Sequence, residues 1–456
     1  MRRVVKVSRI RIIITIIVVV LTTLLTGCTG KEPNEIAYVV ALGIDSTDDD
    51  NYKITIQYAN TTQISGGASE SGGKAGSEIV DNVTIEAPNI YAGVGLANNI
   101  VSKSFSMSHA KLIVFSKEIA EKGVKDMIET LVRSEEIRPD VFIAVANTTA
   151  NDYLTSVNPE MEVNPAQYYQ LIYQKNQLVG IPDGQLREFF TGLYTDNYDS
   201  ILPVAGVIEG SGSNRQNDDK GQSKDGQNEG SEGSSESLDS FESKSSDDKD
   251  ENEKEKDAEK NTSKYEYDIK NYVGGETAIE KKNKAEAIGA AVFEKDKMVG
   301  ELGEVETEIC KILKGDYTYS YLTYYNNDTP DIPITVKTTQ QKKPKYKIDT
   351  DKKTVDIELY IESDLYSLPA DYNVENKIED FERNVANYTS STCTEFINNF
   401  TKKYNSDILK LNEKVKYKFL TNNQYNWFKK NVGWSDYKFS VCTNFKVRRT
   451  GLIVRE

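Results

Sequence analysis

The sequence predicts an α+β fold of the mixed α/β type, multi-domain, with helices packed on mixed sheets. Two observations support this class. Strand and helix patterns alternate in residues 28–210, which is typical of a mixed or partly parallel sheet. Residues 265–456 combine a hairpin, several strands and a long helix. A hydrophilic segment, residues 211–264, separates the two regions.

The chain opens with the pattern of a secretory signal. An apolar run from Ile12 to Leu25 follows a positively charged start without acidic residues, whose charges are Arg2, Arg3, Lys6, Arg9 and Arg11. The run is short for a spanning helix, which needs about 20 apolar residues. We therefore expect residues 1–27 to be a signal peptide that is removed.

The stretch from Leu25 to Cys28, which reads Leu-Thr-Gly-Cys, resembles a bacterial lipobox. By this resemblance Cys28 takes a diacylglyceryl group on its sulfur and becomes the first residue of the mature chain. Two acyl chains anchor a protein well, because each buried methylene contributes about 0.8 kcal/mol. The alternatives are an ordinary signal with an incidental cysteine and an uncleaved anchor.

Composition limits the classes of partner. The 456 residues carry a net charge of -15, and loss of the five basic signal residues takes the mature chain to -20. So acidic a chain is not expected to bind nucleic acid. The body also lacks the overall basic character that drives adsorption to anionic lipid, so we expect membrane contact to come from the anchor.

The remaining cysteines are Cys310, Cys393 and Cys442, which are odd in number and widely spaced. They are not a disulfide framework. One pair could bridge in an oxidising exterior, but the favoured interpretation is three partly buried thiols. No Cys or His cluster has metal-ligand spacing, so we predict neither a metal nor a cofactor.

Residues 28–210 contain the patterns of a mixed sheet with packed helices. Expected strands are Ile36–Asp45, Tyr52–Tyr58, Ile79–Ile85, Leu112–Phe115, Val141–Ala146 and Leu202–Ile208. Expected helices are Pro88–Val101, Ile119–Val132, Pro165–Asn176 and Leu186–Phe190. The acidic turn from Asp45 to Asn51 lacks the glycine and distal glutamate of an EF-hand, so we favour a hairpin turn over calcium.

Two groups of residues in this region are candidates for chemistry. His109 is the only histidine, and no activated serine or cysteine pattern accompanies it. We therefore expect a structural role at the entry to a strand. Tyr168, Tyr169 and Tyr173 could line a ligand groove, but an aromatic helix face is far more often part of the core.

Residues 211–264 have a different composition from the rest. Their only hydrophobic side chains are Leu238, Phe241 and Ala258, and 16 acidic residues face 9 basic ones. Such a segment cannot bury enough apolar surface to offset its chain entropy. We predict a disordered linker or insertion, with a specific acidic interaction segment as the alternative.

Residues 265–456 have the pattern of a second α+β region. We expect a hairpin around Ala290–Leu302, a helix at Glu304–Leu313 and strands near Tyr317–Tyr325, Ile332–Thr338 and Val355–Ile361. A long helical region starts near Val374, and a Ser/Thr-rich break divides it. From Tyr437 to Arg448, apolar and polar residues alternate, which predicts a strand with one buried face.

Several segments together resemble the C subunit of spore germinant receptors, the Ger(x)C lipoprotein family. Besides the lipobox, they are residues 41–45 (ALGID), 108–114 (SHAKLIV), 120–123 (AEKG), 136–141 (EIRPDV), 291–300 (AVFEKDKMVG), 403–409 (KYNSDIL) and 448–453 (RRTGLI). Each motif is modest, but their order is specific. The resemblance spans nearly the whole mature chain, except that residues 211–264 depart from it.

The resemblance implies a non-enzymatic lipoprotein of three mixed α/β domains. It would be anchored to the outer face of the inner spore membrane, beside the integral membrane A and B subunits of a nutrient receptor. Only Cys28 carries over as a site residue, and contact with the nutrient stays open. An assembly or signal-relay role follows, since an anchor raises the local concentration near membrane partners.

Two other classes are weighed against this function. A lipid-anchored solute-binding protein of a transporter would call for two similar lobes around a cleft, whereas the halves here differ. A hydrolase of the envelope needs paired carboxylates or a histidine site, and no defensible spacing of either is present.

Overall fold

The structure is a computed structural model. It describes residues 13–17, 35–49, 51–59, 80–159, 162, 164–174, 180–208, 271–277, 283–326, 329–368 and 377–450. The predicted signal peptide lies almost entirely outside these ranges, and the predicted insertion at 211–264 lies fully outside them. Residues 13–17 are helical, and no helix within the described ranges is both long and apolar enough to cross a membrane.

The first sheet has nine strands. They are β1 (Ile36–Ser46), β2 (Tyr52–Ala59), β3 (Val80–Ala87), β4 (Ser104–Ser106), β5 (Leu112–Ser116), β6 (Phe142–Ala146), β7 (Ile201–Val207), β8 (Ala285–Glu294) and β9 (Lys297–Leu302). The helices that accompany them are α1 (Ile90–Ile100), α2 (Lys117–Lys122), α3 (Lys125–Val132), α4 (Ala150–Ser156), α5 (Pro165–Gln174) and α6 (Leu186–Thr195).

The centre of this sheet is parallel and its flanks are antiparallel. The order is β3-β2-β1-β5-β6-β7-β8-β9, with β4 beside the start of β1. Strands β1, β5, β6 and β7 run parallel, whereas the pairs at both flanks are antiparallel. Every residue of β5 and β6 is buried, because helices cover both faces.

The second sheet is smaller. Its strands are β10 (Tyr319–Asn326), β11 (Thr329–Gln340), β12 (Lys345–Asp349), β13 (Thr354–Ser367) and β14 (Lys438–Arg449). The long strand β13 pairs with β11 and β12 in antiparallel fashion and with β14 in parallel fashion. Its helices are α7 (Glu304–Lys314), α8 (Ile378–Tyr404), α9 (Leu411–Val415) and α10 (Asn422–Asn431), with 3₁₀ turns at Lys416–Lys418 and Trp434–Asp436.

Helix α8 covers the open edge of β14 with polar side chains. Backbone N–H groups along that edge donate to Thr394 Oγ1 (3.0 Å), Ser390 Oγ (2.9 Å) and Glu382 Oε1 (2.8 Å). Asn398 both accepts from the N–H of Phe439 (3.1 Å) and donates to its carbonyl (2.9 Å). These bonds satisfy groups that an exposed edge strand would leave open to another chain.

Most predicted elements are present, and the fold class of mixed sheets with packed helices is confirmed. Two predictions about helices were wrong. The helix expected over Ile119–Val132 is two helices, because Gly123 has a φ of 122° and the N–H of Val124 donates to Asp296 O (3.0 Å). The Ser/Thr-rich break is absent, since α8 continues through it. Strands β4 and β12 and helices α4, α9 and α10 were not predicted.

The large sheet draws strands from both predicted regions. Strand β7, before the hydrophilic segment, pairs with β8, after it, from Ile201 opposite Val292 to Val207 opposite Ala285. The division into domains at residues 1–27, 28–210, 211–264 and 265–456 remains a prediction. A single sheet joins the two folded regions at β7 and β8.

Candidate functional site

The one site residue that the sequence nominates, Cys28, lies outside the described residues. Its lipidation stays a prediction. The structure does locate the motifs that carry the family resemblance, and three of them contribute side chains or backbone groups to well-defined polar contacts. These contacts are of two kinds: a helix cap inside the first sheet and a cleft beside its edge.

Asp45, which ends the ALGID motif, caps a helix. Its carboxylate accepts the backbone N–H groups of Ala150 (2.6 Å) and Asn151 (3.0 Å) at the start of α4. Burial raises the pKa of Asp45, and those two N–H donors oppose the rise. Gly43 lets α4 approach closely, because an added Cβ would lie 3.0 Å from Leu154 and 3.1 Å from Ala150. Contact between β1 and α4 thus accounts for the Gly43 and Asp45 of this motif.

His109 and the three tyrosines have structural surroundings. His109 lies just before β5, with its ring 4.9 Å from that of Tyr38 and its Nδ1 3.0 Å from Ser108 Oγ. Tyr168, Tyr169 and Tyr173 are buried in the core, as predicted. The hydroxyl of Tyr169 donates to Gln57 Oε1 (2.5 Å), and the Tyr173 and Tyr153 hydroxyls are 2.9 Å apart.

A polar cleft of about 570 Å³ lies where the edge of the first sheet meets the C-terminal helices. Its walls are the end of α6, the segment before β7, the β8–β9 turn, the residues after α8, and α10 with the following 3₁₀ turn. The charged residues that line it are Asp196, Asp199, Glu294, Lys295, Asp407, Lys429 and Lys430. The AVFEKDKMVG and KYNSDIL motifs, distant in sequence, meet here.

Asp199 holds three walls of this cleft together. Its backbone N–H donates to Asp407 O (3.1 Å), and its Oδ2 accepts the N–H of Asp407 (2.8 Å). Its Oδ1 accepts the N–H of Lys295 (3.3 Å) in the β8–β9 turn. Lys295 has a φ of 58°, a left-handed conformation that tight hairpin turns require. One side chain therefore fixes both a hairpin and the loop after α8.

Asp407 is the most deeply buried carboxyl of the cleft. It accepts the N–H groups of Leu411 and Asn412, both at 2.7 Å, and so caps the short helix α9. Burial raises the pKa of Asp407 to about 7, although the two N–H donors lower it and nearby Lys414 also favours the charged form. Its protonation state thus changes close to neutral pH.

Trp434 and Lys410 brace the sides of the cleft. The indole N–H of Trp434 donates to Asn412 Oδ1 (3.1 Å), and its ring is 4.7 Å from that of Tyr437. Lys410 forms an ion pair with Glu188 on α6, and its Nζ lies 4.2 Å from the centre of the Tyr198 ring. The C-terminal helices are thereby fastened to the first sheet by direct polar contacts.

The cleft is suited to binding a polar group of mixed charge. It offers carboxylates, ammonium groups and the side-chain amides of Asn405, Asn412 and Asn426. Within the described ranges, no group of three or more His, Cys, Asp or Glu residues could hold a metal ion. Cys310 and Cys393 are buried thiols and Cys442 is exposed, and all three are free.

The sequence did not nominate Asp199, and it indicated Asp407 only as part of the KYNSDIL motif, without a role. Asp407 lies four residues before Leu411, the first residue of α9, whereas a typical N-cap directly precedes its helix, so its position gave no clear signal. Asp199 gave no signal either, because its partner Asp407 is 208 residues away in sequence. Only the fold brings these two carboxyls together.

Comparison with known proteins first defines the class. One family model, described as "Spore germination protein N-terminal domain", matches residues 30–207. A second, described as "Spore germination B3/ GerAC like, C-terminal", matches residues 288–451. The chain is therefore a spore germination protein by class. More particularly, it belongs to the Ger(x)C family, whose two domains it carries in order.

Individual relatives agree with this family. The chain is 26% identical over 174 residues to spore germination protein KC of Bacillus subtilis (strain 168), across 35% of this chain and 42% of that protein. It is 28% identical over 145 residues to the putative spore germination protein YfkR of the same organism, across 32% and 37%. These alignments thus span less than half of each relative.

The crystal structure of the GerBC protein is also similar, with a TM-score of 0.47 and 14% identity over 89% of this chain and 96% of that one. Family membership supports a role in spore germination, within a family of germinant receptor subunits that is not known for enzymes. It also implies a membrane-associated location in the spore.

Proposed function

We propose that this protein is the lipid-anchored C subunit of a nutrient germinant receptor, acting without catalysis as an assembly or signal-relay component. Its place would be the outer face of the inner spore membrane, beside integral membrane A and B subunits. The observation that carries the proposal is the order of the chain. A lipobox ending at Cys28 directly precedes two spore germination domains at 30–207 and 288–451.

The structure supports an assembly role through the way its regions are joined. The backbone and carboxylate of Asp199 link the first sheet to the segment after α8 and to the β8–β9 turn by hydrogen bonds with Asp407 and Lys295, so the cleft has fixed walls. A rigid polar surface suits a hydrophilic loop of a partner subunit, because less conformational entropy is lost when one side is preorganised.

The anchor is tested by Cys28→Ala, with Cys442→Ala as the matched control because Cys442 is an exposed free thiol. We expect the Cys28 variant to leave the spore membrane fraction and to germinate poorly, while the control behaves as wild type. If the Cys28 variant stays in the membrane fraction with full germination, the anchor is wrong.

The cleft is tested by reversing one exposed charge at its wall. Glu294→Lys is expected to lower recovery of the A and B subunits with this protein from detergent extracts of spores. The control is Glu395→Lys, because Glu395 is also exposed and lies on α8 outside the cleft lining. Equal recovery in both variants would contradict a partner-binding cleft.

A solute-binding role is the alternative, and the same cleft allows a direct test of it. A small nutrient that binds the folded protein must raise its melting temperature, by an amount that grows with the logarithm of ligand concentration above the dissociation constant. We expect no such shift with amino acids or sugars. A concentration-dependent shift that Glu294→Lys abolishes would favour the solute-binding function, as would transporter ATPase and permease genes beside this one.

A further inference from the structure

Residues 414–430, here named the basic segment, have the opposite charge from the chain as a whole. They contain no Asp or Glu and five lysines, which are Lys414, Lys416, Lys418, Lys429 and Lys430. The complete chain has a net charge of -15. The average composition of the chain argues against contact with anionic surfaces. This segment is an exception, because its local charge is positive.

The basic segment also exposes large apolar side chains. Tyr417 is 91% exposed, Leu420 is 93% exposed and Trp427 is 64% exposed. They are not the result of a poorly packed region, because their neighbour Phe419 packs inward, with its ring 4.9 Å from that of Phe428. Tyr425 and Phe428 are buried on the inner side of α10. The segment is therefore two-sided, with an aromatic core and an aromatic outer surface.

This combination of side chains suits the interface of a membrane. Trp and Tyr place an apolar body in the acyl region and a polar tip among the headgroups. Lysines extend their apolar stems along such a surface while the ammonium groups remain in water. Each lysine near an anionic leaflet increases partitioning by a factor of about 5, or about 1 kcal/mol.

The fold places the basic segment near the end of the chain that would carry the anchor. Strands β1 and β7 run in the same direction, so their first residues lie at one edge of the sheet. Lys429 Nζ donates to Thr195 O and Asn197 Oδ1, both at 3.1 Å, just before β7 at that edge. Ile36 begins β1 at the same edge, three strands or about 14 Å to the side. Because Ala41 is level with Ile201 across the parallel strands, Ile36 also lies five residues, or about 16 Å, further along the strand axis. The two strand starts are therefore about 22 Å apart.

The length of chain before Ile36 is compatible with simultaneous contact. Eight residue steps lead from Cys28 to Ile36, and they span about 26 to 29 Å at full extension. A lipid on Cys28 would thus hold this edge of the sheet within reach of the bilayer. The basic segment would then meet the headgroups of the same leaflet.

We propose that residues 414–430 dock on an anionic lipid surface and form a second membrane contact beside the lipid anchor. This inference rests on the proposed anchored location. Tyr417, Leu420 and Trp427 insert among the headgroups, and Lys416 and Lys430 face anionic lipid, whereas Lys418 donates to Ile348 O. Two contacts would set the orientation of the body above the membrane, which a single point of attachment cannot do.

The experiment uses the two tryptophans of the chain, since Trp427 is exposed and Trp434 is only 3% exposed. The full lipidated chain is mixed with vesicles of phosphatidylcholine with about 30% phosphatidylglycerol, whose acyl chains are brominated to quench tryptophan. We expect strong quenching in wild type that Trp427→Phe removes. The double variant Lys416→Gln with Lys430→Gln, two exposed lysines of the segment, should weaken quenching, by a factor of up to about 25 in partitioning.

The control for charge and exposure is the double variant Lys125→Gln with Lys297→Gln, which changes two exposed lysines outside the basic segment. This pair should leave quenching unchanged. Vesicle flotation measures whether the protein is attached to vesicles, separately from the quenching of Trp427. Floating protein with quenched Trp427 supports the second contact. Floating protein whose Trp427 is unquenched, or becomes protected only when the A and B subunits are present, overturns it in favour of a protein partner.

A different pattern separates the two proposals from each other. If wild type floats no better than Cys28→Ala, the anchor proposal fails. Quenching of Trp427 that persists in Cys28→Ala then still supports the lipid contact, whereas its absence in both proteins overturns the lipid contact too.

Discussion

The two sheets bury their side chains in different ways. In β5 of the first sheet, Leu112 and its neighbour Ile113 point to opposite faces, and each belongs to a separate hydrophobic cluster. In β14 of the second sheet, Phe445 is buried whereas its neighbour Asn444 is exposed. The first sheet is covered by helices on both faces, and the second on one.

This difference explains how each sheet handles its polar groups. Central parallel strands need crossover connections on the faces, so every side chain meets protein. The second sheet keeps one face in water, where side chains pair with each other, as Arg448 does with Glu362 (3.1 Å). Its edge strand β14 then requires cover, which the polar side chains of α8 provide.

The largest expected effects test the two-sided burial of the first sheet. Leu112→Ala and Ile113→Ala should each lower the free energy of unfolding by about 2 to 5 kcal/mol, because each leaves a cavity in a packed cluster. Phe445→Ala in β14 should cost about 3 to 5 kcal/mol for the same reason. Urea unfolding followed by circular dichroism measures all three.

The matched variant for this comparison is Asn444→Ala, on the wet face of β14. Its side chain donates to Glu358 at 3.0 Å, an exposed contact. We expect a change within about 0.5 kcal/mol. The comparison fails if one member of the Leu112 and Ile113 pair proves as tolerant as Asn444.

The next effect concerns a carboxyl near the buried face of the second sheet. Glu308 on α7 is hydrogen-bonded to the side chains of Ser320 and Tyr317, yet burial raises its pKa from 4.5 to about 7. Between these values the folded protein holds a proton that the unfolded chain releases. The contribution of Glu308 to the free energy of unfolding therefore falls as pH rises from about 4.5 to about 7 and is constant above.

Glu308→Gln removes this titration. Relative to the variant, wild type should lose up to about 3 kcal/mol of stability between pH 5 and pH 8, at about 1.4 kcal/mol per pKa unit. Urea unfolding of both proteins at the two pH values gives the difference, in which Asp407 cancels because both proteins contain it. A difference that does not change with pH would show that Glu308 is ionised throughout.

Most of the strands could be predicted from the sequence, for physical reasons that differ between the two sheets. Continuous apolar runs such as residues 141–146 identify strands buried on both faces, and the alternation in residues 438–448 identifies the one-sided strand. Which strands pair, and which distant side chains meet, could not be predicted in the same way. The pairing of β7 with β8 crosses the segment 211–264, and the contact of Asp199 with Asp407 joins residues 208 positions apart.

Local rules also failed where tertiary contacts decide the outcome. Ser and Thr in residues 389–394 suggested a helix break, because their hydroxyls compete with backbone hydrogen bonding. In the structure, Ser390 Oγ donates to Ala386 O (2.6 Å) within the helix and also accepts from β14. The cleft was missed for the same reason, since its walls come from five separate segments.

The smallest expected effect tests whether α8 protects the edge of the second sheet. Thr394→Val keeps the shape of the side chain but removes the acceptor for the N–H of Val441 (3.0 Å). This leaves a partly buried N–H without its partner, at a cost of about 1 kcal/mol. Ser391→Ala is the control, because Ser391 is exposed and donates only to Tyr388 O within its own helix (2.9 Å). Hydrogen exchange at the Val441 amide should accelerate in Thr394→Val and stay as in wild type in the control. Equal exchange in both would mean that this hydroxyl does not protect the edge of the sheet.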